Sequence, residues 1–170
     1  MKMRGRIAGI LLICAAAVLL WTGAIQAEKQ KTRVPDFTLM SNQGRPISLS
    51  DYAGRVVVLN FWTSWCPDCR AEMPELQRLQ DELAETEEAV LLLLNQIDGS
   101  LETQESGKRY LEENALTLIN LYDYGTVGWG IFGVPAYPAT VVIDPEGYLH
   151  SYVLGQVTYD GLKWLIEEAK

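Results

Sequence analysis

Two cysteines three residues apart constrain this chain more than any other feature of its sequence. Cys66 and Cys69 follow residues 56–62, a hydrophobic, β-branched and aromatic run that is typical of a buried strand. Pro67 and Asp68 come directly after Cys66, and a proline and an acidic residue at these positions are helix-start signals. The sequence therefore places the pair where a buried strand turns into a helix.

That position gives the two cysteines different chemistry. The partial positive charge of a helix N-terminus stabilises a thiolate, so we expect Cys66 to be the exposed nucleophile. Cys69 lies one turn inside the helix and is expected to be the more buried, resolving thiol. A structural disulfide or half of a zinc site is the alternative. A zinc site needs about four ligands, and the other cysteine and histidine are Cys14 and His150 alone, so a redox pair is favoured.

The first residues carry the features of a targeting segment. Lys2, Arg4 and Arg6 precede the uncharged residues 7–25. This pattern fits a cleaved secretory signal peptide, and it also fits a membrane anchor, which needs about 20 apolar residues. We expect residues 1–27 to be one or the other, with a retained anchor slightly favoured. The basic flank would stay in the cytoplasm, which places the rest of the chain outside the cell membrane.

The remaining chain has the size and charge of one acidic domain. We assign residues 28–34 to a linker and residues 35–170 to a single domain. From residue 28 onward, 11 basic side chains stand against 22 acidic ones. Such a domain is unsuited to binding nucleic acid, and we expect a monomer.

Hydrophobic patterning predicts alternating strands and helices. Residues 35–49, with a turn at 42–44, are typical of a β-hairpin. Further strands are predicted at 56–62, 89–97, 116–121, 139–144 and 148–154. Helices are predicted at 67–88, 100–114, 124–132 and 158–170. This order indicates an α/β fold with a mixed sheet.

Two stretches of sequence resemble a known family. They are N-F-W-x-x-W-C-x-x-C-x-x-E-x-P, from residue 60, and V-P-A-Y-P-A-T-V-V-I-D-P-E-G, from residue 134. The chain resembles the thioredoxin-like superfamily over residues 35–169, and within it the membrane-anchored TlpA/ResA-like thiol-disulfide oxidoreductases. The resemblance implies a thioredoxin-like fold, a central mixed sheet flanked by helices with an N-terminal β-hairpin. It also implies no cofactor beyond a redox-active disulfide.

The resemblance also implies catalytic roles for four residues. Cys66 and Cys69 would form the redox pair. Pro138 would be the cis-proline that faces the disulfide, with Pro135 as the competing candidate. Glu72 matches an acidic residue beneath the cysteines and could exchange a proton with Cys69. The alternative is that Glu72 is a solvated helix residue.

Further positions are matched to substrate binding. Trp65, Pro67, Asp68 and Tyr137 would surround the disulfide and contact substrate. The negative charge of Asp68 opposes the thiolate-stabilising effect of the helix, which favours a reducing couple. Asn60 stands where cytosolic thioredoxins have an aspartate, and this difference leaves Glu72 as the nearer candidate for proton transfer.

The predicted activity is the reduction of disulfides in exported proteins, for example apocytochrome c, by a Cys-Pro-Asp-Cys dithiol. A membrane thiol donor would then reduce the oxidised pair again. One alternative is a peroxiredoxin-like peroxidase, since Thr63 stands three residues before Cys66, although Leu59 occupies the position of that family's proline. The other is a copper or zinc carrier, which would need a histidine near Pro138, whereas His150 lies on the last predicted strand.

Overall fold

A computed structural model describes residues 31–170, and its centre is a five-stranded mixed sheet in the order β5-β4-β3-β6-β7. The central strand β3 (Val56–Trp62) pairs in parallel with β4 (Ala89–Gln96) and antiparallel with β6 (Ala139–Ile143). At the two edges, β5 (Asn120–Asp123) is parallel to β4, and β7 (Leu149–Leu154) is antiparallel to β6. The sequence predicts a mixed sheet, and the structure confirms it.

Three helices pack on one face of this sheet. They are α1 (Pro67–Thr86), α2 (Gln104–Glu113) and α3 (Tyr159–Ala169). Buried residues of all three belong to one hydrophobic cluster with alternate residues of β3. The other residues of β3 face a second cluster, which includes residues of the hairpin and of the segment 119–134. Every residue of β3 is therefore buried, as its apolar sequence predicts.

The N-terminal hairpin is present as predicted. Strands β1 (Thr38–Met40) and β2 (Pro46–Ser48) pair antiparallel and are followed by a 3-10 helix, Leu49–Tyr52. Gly44 in the connecting turn has a φ of 75°, which a residue without a Cβ adopts without strain. The fold is thus thioredoxin-like with an added hairpin.

Residues 31–34, which the sequence assigns to a linker, are hydrogen bonded to the domain. The Val34 N–H donates to the Gly147 carbonyl, and the Leu149 N–H donates to the Thr32 carbonyl. These residues are part of the hydrogen-bonded structure. The predicted signal peptide or anchor, residues 1–27, lies outside the described residues. Within residues 31–170, no helix has the length and apolarity needed to cross a membrane.

The third predicted strand, 116–121, is wrong at its start, because β5 begins only at Asn120. Just before β5, the Ile119 carbonyl still accepts from the Leu93 N–H of β4, and the backbone of residues 117 and 118 is bonded by side chains. The Thr117 N–H donates to Gln77 Oε1, and Asn42 Nδ2 donates to the Leu118 carbonyl. The apolar run 116–119 therefore enters the core as an irregular segment.

The predicted helix at 124–132 is also wrong, because this segment forms a series of turns. The N–H groups of Gly130 and Phe132 donate to carbonyls five residues earlier, and Ile131 to one four residues earlier, so no regular helical ladder forms. The Asp123 carboxylate accepts hydrogen bonds from the N–H groups of Val127 and Gly128. A side chain at the end of β5 thus shapes the segment.

Candidate active site

The two cysteines lie at the junction of β3 and α1 and are joined as a disulfide, with their Cα atoms 5.3 Å apart. Cys66 is the N-cap residue of α1, and Pro67 is the first helical residue. The Cys69 N–H donates to Cys66 Sγ at 3.1 Å. Because this N–H is one of the unpaired donors of a helix N-terminus, it is also placed to stabilise a Cys66 thiolate.

The expected exposure of Cys66 is wrong, although the order of burial is as predicted. Cys66 is 4% exposed and Cys69 is fully buried. Both cysteines belong to the hydrophobic cluster beneath the helices. The Cys66 sulfur lies 3.6 Å from the Tyr137 carbonyl oxygen, so the segment before β6 covers it. A substrate sulfur can therefore approach Cys66 only over a small part of its surface.

The segment that covers Cys66 contains the proline that the sequence singles out. The peptide bond between Tyr137 and Pro138 is cis, and Pro138 directly precedes β6. Pro135, the competing candidate, is exposed and has no cis bond. The structure thus brings Pro138 and Tyr137 against the redox pair.

Glu72 is 2% exposed and lies one turn of α1 beyond Cys69. Asn60 Nδ2, from β3, donates to its Oε1 at 2.8 Å. The Val157 N–H, from the segment before α3, donates to its Oε2 at 3.0 Å. The alternative that Glu72 is a solvated helix residue is therefore excluded.

Burial changes the acidity of this carboxyl group. Desolvation raises the pKa of Glu72 to about 7, and the two hydrogen bonds and the nearby Asp68 alter it less. Asn60 also donates to Thr140 Oγ1 on β6 at 3.1 Å, which fixes the amide between the helix and the sheet. A carboxyl group that titrates near neutral pH can give or take a proton at the redox pair.

The residues matched to substrate binding surround the disulfide at the surface. Trp65 is 46% exposed, Pro67 and Asp68 are exposed, and Tyr137 is partly buried. Asp68 Oδ1 accepts a hydrogen bond from Gln156 Nε2 at 3.1 Å. The four residues therefore form one accessible surface around a covered sulfur.

A second buried carboxylate near the pair was missed by the sequence analysis. Glu102 is fully buried, and its Oε2 accepts from both the N–H and the hydroxyl of Ser64, at 2.9 and 2.7 Å. Asn95 Nδ2, at the end of β4, donates to its Oε1 at 2.6 Å. On the other side, Arg70 Nε donates to the Ser64 carbonyl. The backbone of Ser64, two residues before Cys66, is thus held at both its N–H and its carbonyl.

No local pattern in the sequence marks Glu102. It lies in the first turn of the helix predicted at 100–114, where acidic residues are common and usually solvated. Its partners Ser64 and Asn95 lie on other elements, and Ser64 is 38 residues away. Among residues 31–170, no group of three or more His, Cys, Asp and Glu side chains is placed to hold a metal ion.

Comparisons with known proteins agree with this geometry. A model of the AhpC/TSA family matches residues 31–151. Thioredoxin-like protein YneN of Bacillus subtilis is 30% identical over 158 residues, which cover 89% of this chain and 91% of the relative. Thiol-disulfide oxidoreductase ResA of Bacillus cereus is 26% identical over 167 residues, which cover 96% of this chain and 94% of the relative.

A solved structure shows the same fold. The crystal structure of the exposed lipoprotein thioredoxin Etrx1 from Streptococcus pneumoniae matches with a TM-score of 0.71 and 29% identity, over 79% of this chain and 99% of that chain. The chain belongs to the AhpC/TSA family. Its Cys66–Cys69 pair, held at a strand-to-helix junction as in a thioredoxin-like fold, makes it a thiol-disulfide oxidoreductase.

Proposed function

We propose that this protein is an extracytoplasmic reductase of disulfides in exported proteins. The observation that carries the proposal is Glu72, a buried carboxyl group with a pKa of about 7 one helical turn beyond the buried Cys69. A buried resolving thiol must lose its proton before it can react, and Glu72 is the adjacent group that can accept one near neutral pH.

The reaction follows from the arrangement of the pair. The Cys66 thiolate attacks one sulfur of a substrate disulfide, the substrate S–S bond breaks, and the second substrate sulfur leaves as a thiolate. Cys69 then transfers its proton to Glu72 and attacks Cys66 Sγ, which releases the first substrate sulfur as a thiolate. Two electrons pass to the substrate, whose thiolates take up protons, and the Cys66–Cys69 disulfide remains.

The direction of electron flow is proposed from the charges around Cys66. Asp68 lies in the first turn of α1, and its negative charge opposes the stabilisation of a thiolate by the helix N-terminus. A thiolate that is less stabilised goes with a more reducing couple. A membrane thiol donor would then return electrons to the pair after each turnover.

Location and substrate are proposed from the sequence. The basic Lys2, Arg4 and Arg6 before the uncharged residues 7–25 support an N-terminal membrane anchor, with the domain outside the cell membrane. The resemblance to TlpA/ResA-like proteins supports exported substrates such as apocytochrome c. The names of the relatives are compatible with this activity and specify no substrate.

The test is the reduction potential of the Cys66–Cys69 pair, measured in the full-length protein by equilibration with dithiothreitol. We expect about −250 mV or lower, near the value of thioredoxin. A potential near about −120 mV would show an oxidant and overturn the proposed direction. Peroxide consumption and metal titration of the same reduced preparation test the peroxidase and metal-carrier alternatives.

A trapping experiment tests the roles of the two cysteines. Cys69→Ser should accumulate mixed disulfides between Cys66 and exported proteins, visible on non-reducing gels, because the resolving step is lost. The matched control is the variant with both cysteines changed to serine, which should form none. A Cys69→Ser lane identical to that control would contradict the scheme.

A further inference from the structure

A small cavity opens on the surface beside the disulfide, with a volume of about 140 Å³. Its lining includes Trp65 and Tyr137, which flank Cys66, and also Asp98, Tyr124 and Trp129. The Tyr137 carbonyl oxygen lies 3.6 Å from Cys66 Sγ, so a residue that lines the cavity also contacts the reacting sulfur. A segment bound to Cys66 would pass its mouth.

The rim of this cavity is aromatic and exposed to solvent. Trp65 is 46%, Tyr124 63% and Trp129 73% exposed, whereas Trp62 in β3 is fully buried. Exposed aromatic side chains that cluster around one cavity are typical of a binding surface, because they expose apolar area that the fold itself does not bury.

The rim is also held in place. The Tyr124 hydroxyl accepts a hydrogen bond from Gln104 Nε2 at 2.8 Å. The segment that carries Trp129 is fixed by the buried Asp123, which accepts hydrogen bonds from the N–H groups of Val127 and Gly128 and from Thr126 Oγ1. A preformed rim loses little entropy when a ligand binds.

The charge in the lining of the cavity is negative. Of the side chains that line it in the described part of the chain, Asp98 is the one that is charged. Backbone N–H groups of Glu102 and Ser100 hold the pKa of Asp98 below its usual range, so it stays ionised. Aromatic faces and a carboxylate together favour a cation, which the rings attract through their electron-rich faces.

We propose that this cavity is a subsite for a lysine or arginine side chain that lies near the reacting cysteine of a substrate polypeptide. The inference rests on the proposed function and names the substrate class: exported polypeptides with a basic residue beside the disulfide. The volume suits the end of one side chain, since a cavity of about 150 Å³ accepts a molecule as large as benzene. The subsite positions the substrate, and the sulfur chemistry is unchanged.

The test uses short peptides with one cysteine, which is linked to 2-mercaptoethanol as a mixed disulfide. They carry lysine, norleucine or glutamate at positions two to four residues from the cysteine. The second-order rate constant for reduction by the full-length, reduced protein is measured for each peptide. We expect the best lysine peptide to react about tenfold faster than its norleucine counterpart, with glutamate slower still.

Three variants locate the effect. Asp98→Asn and Trp129→Ala should each remove most of the preference for lysine, and both should reduce the neutral 2-hydroxyethyl disulfide at the wild-type rate. Glu85→Gln is the matched control, because it also removes one negative charge but lies about 27 Å along α1 from its first residue. It should keep the full preference.

The outcomes separate the subsite from the activity. Equal rates for lysine and norleucine peptides, or a preference that survives in both Asp98→Asn and Trp129→Ala, would overturn the subsite. Failure to reduce even 2-hydroxyethyl disulfide would instead overturn the proposed function. In that case, titration of tryptophan fluorescence with a cysteine-free lysine peptide still tests the subsite, which requires a saturable change that Asp98→Asn weakens.

Discussion

Two buried glutamates lie near the redox pair, and their surroundings differ. The Glu72 carboxylate accepts one hydrogen bond from the Asn60 side-chain amide and one from the Val157 backbone N–H. Desolvation raises its pKa to about 7. Glu102 accepts three hydrogen bonds, two from Ser64 and one from Asn95. Burial is nearly the same, at 2% and 0% exposure.

The difference teaches that two carboxyl groups with the same burial can have different hydrogen-bond surroundings, three donors at Glu102 and two at Glu72. The N–H and hydroxyl of Ser64 bind the Glu102 carboxylate, which Asn95 holds in place, and so fix the backbone two residues before Cys66. Two donors to Glu72 offset only part of the cost of desolvation, so its protonated form is accessible near neutral pH.

The largest expected effect is a difference in stability between alanine variants of the two glutamates. Glu102→Ala should lower the free energy of unfolding by about 4 kcal/mol, because three buried donors lose their acceptor. Glu72→Ala should cost about 1–2 kcal/mol, because the Val157 N–H loses its partner while Asn60 keeps Thr140. Urea unfolding of the oxidised proteins at pH 7.5 measures both. Equal losses would contradict the comparison.

The second prediction concerns pH. The folded protein holds the Glu72 proton up to a pKa of about 7, whereas the unfolded chain releases it near 4.5. The folded state therefore binds more protons between these values, and the free energy of unfolding should fall as pH rises through this window, by roughly 3 kcal/mol in all.

Glu72→Gln should remove this fall, and Glu102→Gln should keep it. Denaturant unfolding of the oxidised proteins at pH 4.5, 6 and 8 checks both variants. The same Glu72→Gln protein, once reduced, should show a changed pH profile of thiol alkylation. If the wild-type and Glu72→Gln profiles coincide in both measurements, Glu72 has no role in proton transfer.

The smallest effect tests the packing behind Glu102. A Cβ on Gly107, in α2, would lie 2.3 Å from Oδ1 of the buried Asn95, which holds Glu102. Gly107→Ala should therefore lower the free energy of unfolding by about 2 kcal/mol. Gly161→Ala is the control, since its Cβ would meet only Thr158 Oγ1 at 3.2 Å, and its free energy of unfolding should change little. Thermal unfolding of both variants measures the difference.

The positions of β3, of α1 with its two cysteines and of the N-terminal hairpin could be predicted from the sequence, because the signals for them are local. The apolar run of β3 and the proline at the start of α1 place Cys66 and Cys69 correctly, and α1 ends at Thr86, close to the predicted residue 88. The hairpin follows from its alternation and its turn.

The features that were missed depend on contacts between distant residues. The Val157 N–H that binds Glu72 is 85 residues away in the chain, and Ser64 is 38 residues from Glu102. Gln77 and Asn42, which are 40 and 76 residues away in the chain, bond the backbone of Thr117 and Leu118 just before β5. Local sequence patterns carry no information about contacts between residues so far apart in the chain.

The contact between Glu72 and position 157 has a consequence for sequence variation. The donor is a backbone N–H, which every amino acid except proline supplies. The side chain at position 157 can therefore change over evolution without removing a partner of the carboxyl group. Asn60, whose side chain is the other donor, has no such freedom, so we expect substitutions there to require a compensating change.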